Sequence, residues 1–356
     1  MNIIFNLNFF LKLLLLSSIV LFVSFRVISL IIKISVKKSL FDLPVELRKL
    51  QNNNTSNLGG FGIFFTFIFF TLLILHLNLT LLFASIIIVF LIGLKDDLVG
   101  MSPFKKLLGE LMASFILIIL GDVRITDFHG FMGINDISYF TSIIFSTLFS
   151  LTVINAYNLI DGVDGLSGSL GILGLFVFSC MFISFEDFNN FWITIIYIFS
   201  LLGFYIFNFY PAKIYMGDSG SLVLGLIIYY FSILTLRNYG TDSNIISYNS
   251  VLTIVFSVIV LPLFDLVRLF MTRILSGGSP FKADRNHLHH KLLIIFPKHS
   301  YVSFLICGFN VIIISISFLF YSLPNSIVII CQCIFLVLIV SLVEFFLKKI
   351  NNASTI

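Results

Sequence analysis

Apolar residues run through this chain in long blocks of near membrane-spanning length, separated by short polar connections. The blocks fall near residues 9–32, 61–77, 79–94, 106–121, 139–157, 166–185, 190–209, 219–236, 249–272, 301–321 and 326–347. A hydrocarbon core about 30 Å thick takes roughly 20 apolar residues of helix. The pattern therefore predicts an all-α polytopic membrane protein of about 11 spans. Helices are required because lipid offers no partner to an unpaired backbone amide. The alternation of a barrel is absent. Only His76–Asn78 separates the second block from the third. The first block is too long for a signal peptide, lacks a basic start and has no small-residue cleavage site, so it reads as a retained span. No repeat divides the chain, and a single domain over 1–356 is the economical description.

Composition supports lipid as the solvent. Hydrophobic residues make up 59% and charged residues 11%, against about a quarter charged in soluble domains. No basic tract or aromatic RNA-binding box is present, which argues against nucleic acid as a partner. The four cysteines lie in apolar runs and read as free thiols. Lys and Arg gather in the odd-numbered connections: Lys33 to Lys49, Lys95 and Lys105, Lys213, then Arg273 to Lys298. The even ones hold only Arg124 and Arg237. Basic connections stay cytoplasmic. The N-terminus is therefore expected outside and the C-terminus, with Lys348 and Lys349, inside.

Most of the acids sit at the same ends of the spans. Ionisable groups at membrane depth are costly and point to function. Asp96 and Asp97 are adjacent carboxylates at the end of an apolar helix, where they repel each other and oppose the helix dipole unless a cation is near. Lys105 and Lys106 open the next span and can reach back to an anion. Asn155, Asn158 and Asp161 are three apart, so a helical turn stacks them on one face. With Asp164 they place four oxygen-bearing side chains in ten residues, which suits a hard cation such as Mg²⁺. In Pro211–Ser221, Lys213, Tyr215 and Asp218 accompany glycines and serines whose amides suit an anion at a helix start. The ninth connection carries Arg285, His287, His289 and His290, a pattern compatible with pyrophosphate binding through Arg or with a transition metal. All four patches fall on one face, as phosphoryl transfer would use them. A transporter or flippase is the alternative class. It would place charge at the bilayer midplane within repeats, whereas here the acids gather at one interface and no repeat is visible.

Asp96-Asp97, Asn155–Leu166, Pro211–Ser221 and Ser279–His290, in this order, resemble the polyprenyl-phosphate N-acetylhexosamine-1-phosphate transferases over about residues 42–293. The Ser279–His290 motif resembles the branch that starts O-antigen, common-antigen or teichoic acid synthesis. The resemblance implies UDP-N-acetylglucosamine as donor, with another UDP-N-acetylhexosamine as the alternative. It also implies undecaprenyl phosphate as acceptor, Mg²⁺ (or Mn²⁺) as cofactor, and an active site on the cytoplasmic face of a bacterial inner membrane. A homodimer is compatible with it. By the same resemblance Asp218 and Asn158 would hold the metal, and Asp96 and Asp97 would deprotonate or position the lipid phosphate. Asp161 would be a further catalytic acid and Lys106 the active-site lysine. Asp164 and Tyr215 would bind uracil, Asn155 and Lys213 would line the substrate site, and Arg285, His287, His289 and His290 would meet pyrophosphate and sugar. The first loop departs from the family pattern: Val45 follows Pro44 where Asn is usual, Gln51 stands where His is usual, and no Pro precedes Gly59-Gly60.

Overall fold

The computed structural model describes residues 7–40, 55–74, 79–237, 248–277 and 286–354. Each of the eleven predicted blocks coincides with a helix or, in one case, a helix and its continuation. These are α1 (Leu7–Lys38), α2 (Gly59–Ile74), α3 (Thr80–Val99), α4 (Pro103–Phe115) prolonged by a π-helical turn Ile116–Leu120, α5 (Tyr139–Ile160), α6 (Leu166–Ser184), α7 (Phe188–Asn208), α8 (Gly217–Arg237) and α9 (Tyr248–Leu275). After the short α10 (Leu288–Ile295) come α11 (His299–Leu319) and α12 (Asn325–Ser354). The chain is an all-α polytopic membrane protein. Among the described residues, eight helices are individually long and apolar enough to cross a bilayer. No disulfide links the four cysteines.

The bundle is built around α8. The most apolar stretch of α8 is 89% buried, against 28% for α1 and for α12. Within lipid there is little hydrophobic drive between helices, so close packing and polar contacts hold them. Small residues let backbones meet. A Cβ on Gly60 would lie 2.2 Å from Gly220 N, and one on Gly225 would lie 2.6 Å from Ile154 Cα. Serines bridge helices: Ser24 Oγ donates to Ser200 O (2.6 Å), Ser85 Oγ to Ala113 O (3.0 Å) and Ser317 Oγ to Thr253 O (2.9 Å).

The connections sort by parity. The α4–α5 connection forms an antiparallel hairpin, β1 (Asp127–Phe131) with β2 (Ile134–Asp136). Asn325 Nδ2 donates to His129 O (2.7 Å), and Arg237 donates to Asp122 O (2.8 Å). The fourth and tenth connections and the C-terminal end of α8 thus assemble at one end. The third, fifth, seventh and ninth meet at the other, and every described motif residue lies there.

Candidate active site

The geometry begins with the packing of α3 on α8. A Cβ on Gly93 would sit 2.5 Å from Asp218 O and Ser219 N, so only glycine lets α3 come this close. The approach sets Asp97 over the first turn of α8. Its carboxylate accepts from the amides of Asp218 (2.8 Å) and Ser219 (2.9 Å). Those amides have no partner within their own helix, and the helix dipole favours an anion there. Asp97 is an N-cap supplied by another helix. Gly217 makes the entry possible, with φ +72° and an ideal Cβ 2.2 Å from Asn57 O and 2.7 Å from Asp97. A left-handed backbone costs an ordinary residue roughly 1–2 kcal/mol before any clash. Gly217→Ala is therefore expected to lower the thermal unfolding midpoint in detergent by several degrees. A midpoint within one degree of the parent would refute this account of the turn.

Asp218, seated by this cap, faces oxygens from α3 and α5 and the Lys106 ammonium from α4. Asn158 Nδ2 donates to Asp218 Oδ1 (2.8 Å) and to Ser221 Oγ (2.9 Å), which turns Asn158 Oδ1 outward. Lys106 Nζ contacts Asp218 Oδ2, and lies 3.2 Å from Asp96 Oδ2 and 3.4 Å from Asn158 Oδ1. Three oxygens from α3, α5 and α8 thus converge on one cationic point, at which the lysine ammonium stands. Two carboxylates and an amide carbonyl are the oxygen donors a hard divalent cation takes. The residues present fit such an ion, and Asp218, Asn158 and Asp96 are those that would hold it. Lys105, beside Lys106, is exposed and makes none of these contacts.

Acid exceeds base in this pocket. Asp161, at the C-terminal end of α5, accepts from Ser167 Oγ and from the Gly217 amide. Burial, reinforced by the charges of Asp218 and Asp97, pushes its carboxyl up to about 8. Asp96 and Asp97 lie beyond Leu94, where the apolar stretch of α3 ends. Burial and then Asp218 push Asp97 up to about 7 and Asp96 to about 6. Clustered carboxyls held this high would be relieved by a further positive charge.

The remaining motif residues surround this centre. Asn155 lies one turn back along α5 with its amide on Glu110 Oε2 (2.6 Å). It is not brought to the cationic point. Asp164 Oδ2 accepts from Ala212 N (3.0 Å), and Asn208 ties the same loop to the next by accepting from Gly165 N and donating to Ile214 O. Tyr215 is half-buried, its backbone paired with Ser56 and Gly59. Lys213 is exposed. His287 and His289 are buried, and a Cβ on Gly162 would meet His289 Nε2 at 2.9 Å, so the histidine motif packs on the Asp161–Asp164 loop. The His290 ring is 4.3 Å from that of His289. Arg285 and the divergent first-loop positions from Asp42 to Gln51 lie outside the described residues.

Three residues in the site were not selected from sequence. Glu110 is 1% exposed beneath Lys106. Asp265 on α9 contacts His287, and His299 at the start of α11 lies 3.2 Å from Asp164 and stacks on Tyr210. A lone acid within an apolar run was signal enough for the first two. His299 has no such mark.

The glycosyl transferase family 4 profile matches residues 79–236, the stretch from α3 to α8 that carries the convergent oxygens. The decaprenyl-phosphate N-acetylglucosaminephosphotransferase of Mycobacterium leprae is 30% identical over 230 residues, covering 60% of this chain and 58% of that protein. The chain thus spans less than two thirds of that relative. The probable undecaprenyl-phosphate N-acetylglucosaminyl 1-phosphate transferase of Bacillus subtilis is 27% identical over 272 residues, covering 75% and 73%. A phospho-N-acetylmuramoyl-pentapeptide-transferase of Staphylococcus epidermidis is 30% identical, covering 52% and 64%. Residues 79–236 thus match the glycosyl transferase family 4 profile, and the chain is similar to polyprenyl-phosphate N-acetylglucosamine phosphotransferases and, more remotely, to a phospho-N-acetylmuramoyl-pentapeptide-transferase.

Proposed function

We propose that this chain transfers N-acetylglucosamine 1-phosphate from UDP-N-acetylglucosamine to undecaprenyl phosphate, releasing UMP and starting a cell-surface polysaccharide. The observation that carries the reading is the convergence of Asp96, Asn158 and Asp218 oxygens on one cationic point at a helix N-terminus. The names of the relatives support the sugar and the lipid phosphate, and the basic odd-numbered connections support a cytoplasmic face of a bacterial inner membrane. Mg²⁺, held by Asp218, Asn158 and Asp96, would neutralise the donor's pyrophosphate and the departing UMP.

A lipid phosphate oxygen forms a bond to the donor's β-phosphorus as the bond to the bridging oxygen breaks and UMP leaves with that electron pair. Lys106, once displaced from the carboxylates, reaches an anionic substrate. Asp97 is spent on the α8 amides, which makes it a positioning residue and leaves Asp96 as the member of the doublet available to the metal and, beside it, the lipid phosphate. Asp164 and Tyr215 border the place for uracil.

Purified full-length protein would receive radiolabelled UDP-N-acetylglucosamine, undecaprenyl phosphate and Mg²⁺. Label is expected in the organic phase, with none after EDTA. Transfer only from a different UDP-N-acetylhexosamine would reassign the sugar. No transfer from any such donor to undecaprenyl or decaprenyl phosphate would end the reading.

A further inference from the structure

One carboxylate reaches the histidine motif from a helix outside the matched stretch. Asp265 lies on α9, 22 positions before His287, and both are almost fully buried. Its Oδ2 is 3.0 Å from His287 Nδ1, and its Oδ1 accepts from the Leu288 amide (3.0 Å), the first of α10. Arg268, one turn on, donates to Asp265 Oδ1 (2.8 Å) and to Asn286 O (2.5 Å). The Asn286–Leu288 turn is therefore fixed at three points by one turn of α9. His287 Nε2 makes no hydrogen bond among the described residues. The His287 ring stacks on His289 at 5.2 Å, and His289 abuts Gly162 of the Asp161–Asp164 loop.

A carboxylate on one ring nitrogen decides which tautomer a histidine adopts and which nitrogen it offers to others. The geometry points to Asp265 as a positioning residue that holds the His287 proton on Nδ1 and fixes the orientation of the ring in the substrate site. The role in transfer rests on the function proposed above. With Nδ1 committed to the carboxylate, the ring plane and the direction of Nε2 are both fixed. Asp265, His287 and His289 also lie within 4.8 Å of one another, near enough to share a transition metal. Against that, both Asp265 oxygens already accept hydrogen bonds, and Arg268 adds a positive charge at the same carboxylate.

Asp265→Asn is the diagnostic change. Asn keeps the shape and an oxygen for Leu288 and Arg268, but presents an amide N–H to His287 and forces the proton to Nε2. In full-length protein labelled with ¹⁵N-histidine, the His287 signal, assigned by its loss in His287→Gln, should report a protonated Nδ1. In Asp265→Asn it should report the other tautomer. With UDP-N-acetylglucosamine, kcat should fall about 10–100-fold, the range for loss of an orienting partner, while the donor KM moves less than about threefold. Asp265→Glu should recover part of the loss. In a His287→Gln background, Asp265→Asn should add less than about threefold, because the two changes remove one function.

A bare Nδ1 in the parent protein, or stoichiometric bound zinc there, would overturn the tautomer assignment whatever the activity. Multiplicative losses in the double variant would overturn the role in transfer, reducing Asp265 to a support of the fold. If the parent protein itself transfers no sugar phosphate, the proposed function fails and takes the transfer role with it, while the nitrogen spectrum still judges the Asp265–His287 link alone.

Discussion

Asp218→Asn is expected to reduce sugar-phosphate transfer at least ~10³-fold, the scale on which removing a principal electrostatic stabiliser acts. Asp218 is placed by its own amide on Asp97, and its side chain meets both Asn158 and Lys106. Asn preserves volume and backbone while removing the charge that draws a divalent cation to the site. Two measurements separate chemistry from folding. Mn²⁺ binding followed by electron paramagnetic resonance should weaken by at least ~10-fold, because a neutral amide replaces an ionised oxygen ligand. The unfolding midpoint without metal should stay near that of the parent, since relief of acid–acid repulsion offsets the lost contact with Lys106. Unchanged Mn²⁺ affinity alongside lost transfer would remove Asp218 from the metal set. Retained transfer would remove it from the site.

Much of the architecture could be read from residue order because lipid permits few solutions. A block of about 20 apolar residues has to become a helix, and each predicted block coincides with one. The two short features that departed, the β1–β2 hairpin and α10, lie in polar connections where hydropathy carries no information. Within the site, Asp96, Asn158 and Asp218 announce themselves as acids and amides at span ends. Which partners they take was not legible. Equal spacing suggested that Asn155, Asn158 and Asp161 share one face and one task. The structure instead sends them to Glu110, to Asp218 and Ser221, and to Ser167. The reason is that α5 ends at Ile160, which turns Asp161 away from the helical face, while α4 passes beside Asn155. Asp97 is similar: its doublet with Asp96 suggested a shared role, yet only the Gly93 contact between α3 and α8 reveals it as a cap.

Lys106 carries the other large expected effect, and its two parts have opposite signs. Its ammonium stands where the Asp96, Asn158 and Asp218 oxygens converge, so it competes with any divalent cation for them. Lys106→Met keeps the apolar stem and deletes the charge. Removing the competitor should tighten Mn²⁺ binding by about 10-fold, since an opposing charge at contact distance is lost from a partly buried site. Without metal the same variant should be less stable, because Asp96, Asp97, Asp161 and Asp218 then share no counter-charge. A ligand that binds only the folded state stabilises in proportion to RT ln(1 + [L]/Kd). Added Mg²⁺ should therefore raise the unfolding midpoint of Lys106→Met by more than it raises that of the parent. Transfer should nevertheless fall about 10²-fold, because the displaced ammonium is the cation available to the anionic substrates. Tighter metal binding with poorer transfer is a combination that a merely structural lysine would not produce. Weaker Mn²⁺ binding in the variant would show that the ammonium and the metal do not compete for the same oxygens. The convergence of Asp96, Asn158 and Asp218 would then be an ion-pair network rather than a cation site.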